Sequence, residues 1–405
     1  MNVTAKHVKD AKRAPPNGWR WVKLGELCDP TKGSSRIGPF GSSLRKDELS
    51  ESGIPLIGIE NILPNRFEQC FRRFISTAKY SELKDYTVKP GDVLVSTMGT
   101  IGRCAIVPDN IETAIIDSHL FRFRLDRSEA DPTFICYAIN GFPDLIQQLE
   151  KKSSGAIMAG LNTTILRECM VPLPPLPEQQ RIAGVLREQM AAVEKARTAA
   201  QARLDAAMAL PASFVSESLT TGLKTRYSLD DCLIEIRNGI GADWSKFPVL
   251  GATREGLAPA KEGVGKAPAR YKLVDPVTVF YNPMRILLGS IAMVDEGDAP
   301  GITSPDYVVV KGKPGILDTR WFYYWFRSAY GAHLVESLSR GAVRERILYN
   351  RLSDGEIDLP DYNVQKRVSE SMQRVRNFIE PLTKELATIN ALPAALLRRA
   401  FNGEI

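Results

Sequence analysis

Long apolar runs are missing from this 405-residue chain, and none approaches the roughly 20 residues needed to cross a bilayer. The opening stretch Lys6-His-Val-Lys-Asp-Ala-Lys-Arg13 also lacks the apolar centre of a signal peptide. Histidine is scarce: His7, His119 and His333 are too few for a histidine-based metal cluster. The six cysteines (Cys28, Cys70, Cys104, Cys136, Cys169, Cys232) are scattered, with no CxxC pair. That spacing predicts reduced, mostly buried thiols rather than a disulfide framework or a zinc site. A soluble, cytoplasmic protein is expected. Neither sign of charge dominates, and a formal net charge of +6 permits a polyanionic partner without demanding one. What is present is an ordinary globular composition, 44% hydrophobic and 25% charged, over a length that calls for two or more domains.

Catalytic signatures are missing as well. Tyr281-Asn-Pro-Met284 comes near the motif of an amino-methyltransferase but lacks the second proline and the aromatic that would grip a flipped base. Gly263-Val-Gly-Lys266 mimics the end of a phosphate loop, yet Ala260 stands where the first glycine belongs and Ala267 follows the lysine. Ser304-Pro-Asp306 with Lys311 resembles a nuclease core, but Val309 occupies the place of a required acid. Each fails at a required atom, so no enzyme and no cofactor of its own is expected.

An internal repeat fills the space the missing motifs leave. Leu173-Pro-Pro-Leu-Pro-Glu-Gln-Gln-Arg-Ile182 and Leu359-Pro-Asp-Tyr-Asn-Val-Gln-Lys-Arg-Val368 share Leu, Pro, Gln and Arg at an offset of 186. Gly155 and Gly341 keep that offset, as do Leu166 and Leu352. Leu210-Pro-Ala212 recurs as Leu392-Pro-Ala394 at an offset of 182, so about one helical turn is lost from the second copy.

Each signature opens a helix. Val368, Met372, Val375, Ile379, Leu382, Leu386 and Ile389 alternate steps of four and three, the seam of a coiled coil. The first copy, Ile182, Leu186, Gln189, Val193, Ala196, Ala200, Arg203, Ala207, Leu210 and Phe214, is weaker and richer in alanine. Pro177 suits a first turn, whereas Pro211, Pro381 and Pro393 should kink or interrupt the helices. At about 1.5 Å per residue, helices over 178–221 and 365–401 would span on the order of 65 and 55 Å.

The segments between also echo one another. Trp21 to Cys28 opens the first and Tyr227 to Cys232 the second, and Ile54-Pro-Leu-Ile-Gly58 matches Phe247-Pro-Val-Leu-Gly251. Lys89-Pro-Gly-Asp-Val-Leu-Val95 and Asp275-Pro-Val-Thr-Val-Phe280 read as turns feeding buried strands. Helical stretches are expected near 133–150 and 318–337. Arg66-Phe67 and Phe71-Arg-Arg-Phe74 interleave basic and aromatic groups, with a period that suits a half-buried strand better than a nucleic-acid surface.

These residues closely resemble the specificity (S) subunits of type I restriction-modification systems. The resemblance is carried by Gly18-Trp19 with Val22-Lys-Leu-Gly25, Gly38-Pro-Phe-Gly-Ser-Ser43, Gly91-Asp-Val-Leu94, Ser154-Gly155 with Leu161-Asn162, the signature from Val171 to Ile182, and the ending Leu396-Leu-Arg-Arg-Ala-Phe-Asn-Gly403. It covers nearly the whole chain from about residue 18. Asp361-Tyr-Asn-Val364 departs from the Pro-Leu-Pro-Glu of the first copy, which leaves the second helix start less certain.

The resemblance implies an α+β fold: two tandem mixed α/β target-recognition domains separated by two long helices that form an antiparallel coiled coil, with a pseudo-twofold internal repeat. The expected layout is a flexible basic tail over 1–17, a first recognition domain over 18–172, a long helix in 173–221, a second recognition domain over 222–358 and a last long helix in 359–405. It implies a non-catalytic subunit that binds a bipartite, asymmetric target in double-stranded DNA and docks two methyltransferase (M) subunits, and through them restriction (R) subunits. S-adenosylmethionine, ATP and magnesium would belong to those partners. The alternatives are a protein-binding scaffold whose basic charge is incidental, and the detached recognition half of a combined restriction-methylation enzyme.

Base readout uses Arg, Lys, Asn, Gln, Ser or Thr at loop tips, with further basic groups on phosphates. The first-domain candidates are Lys32, Ser34, Arg36, Ser42, Ser43, Lys46, Thr97, Thr100, Arg103, Ser118 and His119. Those of the second are Arg254, Lys261, Lys266, Arg270, Tyr271, Asn282, Arg285, Arg340, Arg344 and Arg346. Glu178, Gln179, Gln180, Arg181, Gln365, Lys366 and Arg367 are the candidates for facing partner subunits, with helix capping or coil packing as their other possible role.

Two readers of separate half-sites need a spacer of fixed length, which packed helices provide better than a flexible linker. Adding four residues near Ala200 lengthens the helix by one turn, about 5 Å. The expected outcome is a longer gap between the half-sites, read by mapping modified adenines; an unchanged gap would count against the spacer role.

Overall fold

The computed structural model describes residues 15–16, 18–100, 102–153, 161, 163–339 and 346–405. They fall into two units, Met1–Thr198 with Ala387–Ile405, and Ala199–Leu386.

In the first unit β1 (Arg20–Lys23) is followed by β2 (Ser35–Ile37), β3 (Val93–Ser96), β4 (Cys104–Ile106) and β5 (Leu120–Phe123). The last four form an antiparallel sheet in the order β2-β5-β3-β4. Helices α1 (Pro132–Gly141) and α2 (Pro143–Ser153) come next, then β6 (Met170–Leu173), antiparallel to β1, and the 45-residue helix α3 (Leu176–Thr220). Strands β3 and β5 are buried at every position, as strands covered on both faces must be. Side chains alternate accordingly. Val93 and Val95 join Phe121, Phe134, Ile182 and Leu186 in the main core, which Leu397, Ala400 and Phe401 complete from the far end of the chain. Leu94, Ala105 and Leu120 face a second cluster with Ile57 and Ile116.

The second unit repeats this plan. Strands β7 (Lys224–Ser228), β8 (Leu233–Glu235), β9 (Thr278–Tyr281), β10 (Ile291–Val294) and β11 (Val308–Gly312) precede α4 (Thr319–Phe326), α5 (Ala329–Ser339), β12 (Glu356–Pro360) and the 40-residue helix α6 (Tyr362–Phe401). The antiparallel sheet runs β8-β11-β9-β10, the first order strand for strand, and β7 pairs with β12 as β1 does with β6. Even the parallel pairing of Leu56 with Ile115 has its counterpart in a bridge between Val249 and Ile302. The core combines Trp321, Phe322 and Phe326 with Val215 and Leu219 of α3 and Met372 of α6. Each core thus takes the start of one long helix and the end of the other, so α3 and α6 run antiparallel.

Two expectations about the helices need correction. Neither is interrupted by its prolines: α3 continues through Pro211, and α6 through Pro381 and Pro393. Each proline removes a single N–H, leaving only the carbonyl four residues earlier without its helical partner, and the turns on either side hold. The seam of α3 also slips by one position after Ala200. Leu204, Pro211 and Val215 are buried, whereas Arg203 and Leu210 point outward. A straight helix of 3.6 residues per turn drifts against a 3.5-residue repeat, and the slip absorbs the drift. Arg203 instead reaches Glu385 of α6 at 2.6 Å. The interleaved segment is half-buried through Phe67, Phe71 and Phe74, but only Arg66–Phe67 and Phe74–Ile75 are regular strand.

The repeated signature is explained by one buried side chain in each unit. Gln179 accepts the N–H of Asp131 at 2.9 Å and donates to the carbonyls of Glu129 (3.0 Å) and Pro174 (2.9 Å). Gln365 accepts the N–H of Asp318 at 2.9 Å and donates to Ile316 (3.0 Å) and Pro360 (2.9 Å). Asp131 and Asp318 in turn cap α1 and α4, accepting from Phe134 and Trp321. Both glutamines are fully buried, so the expectation that they face partner subunits is corrected: they join the long helix to the domain before it. The second unit adds a buried ion network. Asp295 meets Arg320 at 2.6 Å and Arg376 of α6 at 3.2 Å, and Arg376 also pairs with Asp298.

Truncating Gln365 to Ala strands three backbone groups, one buried and two part-buried, each costing up to about 1–3 kcal/mol when unpaired. The melting temperature of the full chain is expected to fall by many degrees, whereas exposed Lys366→Ala should leave it within about 0.5 kcal/mol of the parent. Equal, small effects would show that the glutamine is not a structural pin.

Candidate nucleic-acid interface

The alternating directions of β2, β5, β3 and β4 put Ile37, Leu120, Ser96 and Cys104 at one end of the first sheet. Loops 38–43, 97–103 and 117–119 leave from that end. They are tied together. The Gly38 N–H donates to the Leu120 carbonyl at 3.1 Å and that of Thr97 to the His119 carbonyl at 2.8 Å. A side chain on Gly38 would sit 2.0 Å from the Asp117 carbonyl oxygen, so the motif Gly38-Pro-Phe-Gly41 needs its first glycine for close approach. The buried Asp117 carboxylate accepts from the His119 N–H at 2.9 Å and from Arg73 at 2.7 Å. The hairpin from Ser96 to Arg103 is closed by the Ser96 N–H on the Arg103 carbonyl at 2.8 Å.

The matching end of the second sheet is built the same way. The Asn282 N–H donates to the Ser290 carbonyl at 3.1 Å, and Gly289 (φ 80°) takes the left-handed position that Gly102 (φ 82°) takes in the first hairpin. A following segment docks on each hairpin through equivalent bonds: Leu161 N–H to Thr97 O at 3.0 Å, and Ile347 N–H to Pro283 O at 3.1 Å. Arg254 lies against Gly289, and the Ser290 hydroxyl donates to Ala252 at 2.7 Å. Arg327 braces the hairpin, donating to the carbonyls of Ile291 and Arg254, each at 2.6 Å. Beside it opens a groove of about 720 Å³ lined by Arg254, Ile286, Leu288, Phe326, Arg327 and Val335.

These ends gather many of the sequence candidates. In the first unit Ser42 and Ser43 are exposed, and Thr100, Arg103, Ser118 and His119 are half-buried around them. In the second, Arg254, Arg285 and Arg346 are exposed around one hairpin. Other candidates are corrected. Ser34 and Thr97 are buried and serve through their backbones, Ser34 accepting from the Arg124 N–H at 2.7 Å. Tyr271 is buried, with its hydroxyl accepting from the Gly265 N–H at 2.9 Å. Asn282 spends its side-chain oxygen on the Met284 N–H at 3.0 Å, an internal turn bond. Lys46 is exposed at the start of a short turn, Lys46–Glu48, and Lys261, Lys266 and Arg270 are exposed beyond the hairpin. Arg340 and Arg344 lie outside the described residues.

Lys32 and Arg36 belong to a different feature, toward the opposite end of the first sheet. With Lys84, Lys89, Arg122 and Arg124 they line a cleft of about 370 Å³. The two inner arginines are fixed: Arg122 donates to Gly33 at 2.6 Å and to Thr87 at 2.5 Å, and Arg124 grips Asp92 with contacts of 2.9 and 2.7 Å. Burial pulls the Arg122 guanidinium down to about 10, opposed by Asp92, so it stays charged at neutral pH. Arg36 pairs with Asp85 at 2.8 Å and lies over the Tyr86 ring. Lys32, Lys84 and Lys89 remain exposed at the rim. Sequence reasoning missed Lys84, Lys89, Arg122 and Arg124; the signal available was a cation inside the apolar run Leu120-Phe-Arg-Phe123.

At the helix starts, Gln180, Arg181, Lys366 and Arg367 are exposed. Glu178 is bound by Arg181 at 2.7 Å, and that bond holds its carboxyl below the usual range. Among the described residues no helix is long and apolar enough to cross a membrane, and no group of three or more His, Cys, Asp or Glu side chains is placed to hold a metal.

Residues 16–200 match the family described as Type I restriction modification DNA specificity domain. The chain is 22% identical over 419 residues to a Methanocaldococcus jannaschii protein assigned as a type I restriction enzyme MjaX specificity subunit, covering 96% of this chain and 94% of that one. To the type I restriction enzyme EcoBI specificity subunit of Escherichia coli it is 19% identical, over 96% of this chain and 86% of the other. Among solved structures, a chain from a study of assembly and conformational transition of the type I R-M system superposes with a TM-score of 0.65 at 19% identity, covering 97% of this chain and all of that one. The HsdS subunit from Thermoanaerobacter tengcongensis superposes with a TM-score of 0.53 at 18% identity, covering 98% and 100% of the two chains.

Replacing Lys32, Lys84 and Lys89 together with alanine tests the cleft. Affinity for duplex DNA is expected to fall equally for all sequences, and the slope of log K against log salt to flatten by about 0.9 for each phosphate no longer neutralised. An unchanged slope would remove the cleft from the interface.

Proposed function

From the match of residues 16–200 to the type I DNA specificity domain and the full-length similarity to type I specificity subunits, we propose that the chain is such a subunit and that each of its two units reads one half of a split, asymmetric DNA target through its hairpin end. The chain is a non-catalytic DNA-recognition subunit. The observation that carries the proposal is the duplication of that end: the same closing bond, the same left-handed glycine and the same docked segment stand in both units, while the side chains around them differ. A common frame with different exposed groups is what reading two different half-sites requires.

In this reading the hairpin loops supply base contacts, with Ser42, Ser43, Thr100, Arg103 and His119 in one unit and Arg254, Arg285 and Arg346 in the other. The cleft around Lys32, Lys84 and Lys89 takes backbone phosphates, which position the duplex without reading it. Helices α3 and α6 set the gap between half-sites. Two M subunits dock on the chain, at surfaces that include the exposed Gln180, Arg181, Lys366 and Arg367 at the helix starts, and R subunits join through them. S-adenosylmethionine, ATP and magnesium are held by those partners, in the cytoplasm.

Co-expression with a candidate methyltransferase (M) subunit, followed by modification-sensitive sequencing, tests the proposal. A split, asymmetric motif is expected, and exchanging residues 222–358 for another second domain should change one half of it only. A stable complex that modifies no defined motif would overturn the proposal in favour of a protein-binding scaffold.

A further inference from the structure

Exposed large apolar side chains are few in the globular parts of this chain, and their placement is uneven. Among the described residues of the first domain only Phe40 (70% exposed) and Met98 (41%) qualify, and both sit on loops at the hairpin end. In the second unit Met284 (60%), Leu287 (42%) and Leu288 (70%) lie together on the equivalent hairpin, while Leu223, Ile234, Tyr330 and Leu348 are exposed outside it. Met98 and Met284 are 186 positions apart, the offset of the repeat, and each stands two or three residues past the end of its strand. Folding gains nothing from leaving such a side chain in water at a loop tip twice over.

We propose that Met98 and Met284 are apolar anchors pressed against bases in the groove of duplex DNA, one in each half-site; the proposal rests on the DNA-reading function given above. One observation favours DNA over a protein as the occupant, and two more suit the role. Cations surround the tips: Arg103 in one unit, and Arg254, Arg285 and Arg346 in the other. The hairpins are braced from beneath, so the tips are presented on a rigid support. And the residue repeated is methionine, whose three flexible bonds and polarizable sulfur let it pack on different base edges. The same side chain can therefore serve two half-sites that differ in sequence. The cleft lysines bind phosphate and respond to salt, whereas the anchors act through burial and do not.

The test is DNA binding by the chain in complex with its methyltransferase, measured on the mapped target by fluorescence anisotropy across a salt series. Met98→Ala and Met284→Ala are each expected to weaken binding about tenfold at every salt concentration, with the salt slope unchanged. Footprints should show lost protection in one half-site for Met98→Ala and in the other for Met284→Ala. Met98→Leu should restore most of the affinity. Lys89→Ala, by contrast, should flatten the slope. Both methionines are exposed, so melting temperatures should match the parent, and any drop in binding then reports on the interface. Unchanged affinity overturns the proposal, as does a loss of methyltransferase binding with DNA affinity of the remaining complex intact, which would make the tips a protein-docking surface. If the unaltered complex itself binds no defined sequence, the DNA-reading function fails instead.

Discussion

A single buried carboxamide in each unit decides where a 40-residue or longer helix leaves its domain. Gln179 and Gln365 each make three hydrogen bonds to backbone groups, and those groups come from both sides of the junction: the strand end just before the helix, and the loop that caps the neighbouring helix. A satisfied polar network in a dry site has one good geometry, unlike an apolar contact that can slide. A spacer helix leaving at a variable angle would carry its far end through many ångströms, since any error at the base is multiplied by length. The direction of α3 and α6 therefore rests on these bonds more than on their apolar seams.

The two units repeat a frame and vary its fittings. Sheet order, helix capping, hairpin closure and the glutamine pin recur at a nearly constant offset. The buried Asp295-Arg320-Arg376 network is particular to the second unit, and the cation-lined cleft to the first, where β5 carries Arg122 at a position that is apolar in β11. Duplication followed by divergence of this kind keeps the backbone geometry that a rigid reader needs and leaves the surface free to change.

Much of the frame was legible in the sequence because it is written in local patterns. The two helices, the strands after Lys89-Pro-Gly and Asp275-Pro, and the pairing of Ile54-Pro-Leu-Ile-Gly58 with Phe247-Pro-Val-Leu-Gly251 all follow from periodicity and repeats. The site was less legible. Ser34, Thr97 and Tyr271 have the chemistry of DNA contacts, but whether a polar side chain faces out depends on what folds over it, which local sequence does not encode. Gln179 resembles a surface group for the same reason. Arg122 and Arg124 are hidden in and beside a strand that reads as apolar, and their cleft joins segments almost ninety residues apart, with Arg122 reaching Gly33. Met98 and Met284 share the repeat offset, but a methionine at a loop tip stands out only once its exposure is known.

Leu397, Ala400 and Phe401 complete the core that also holds Phe134, Ile182 and Leu186. During synthesis at about 5–20 residues per second, that wedge emerges roughly 10 to 50 s after the residues it must cover. The first domain to leave the ribosome is thus the last able to close. Until then the rings of Trp19, Phe134 and Phe142 lack their contacts with Phe401. A chain cut before the last helix would therefore leave the core of its first unit without Leu397, Ala400 and Phe401.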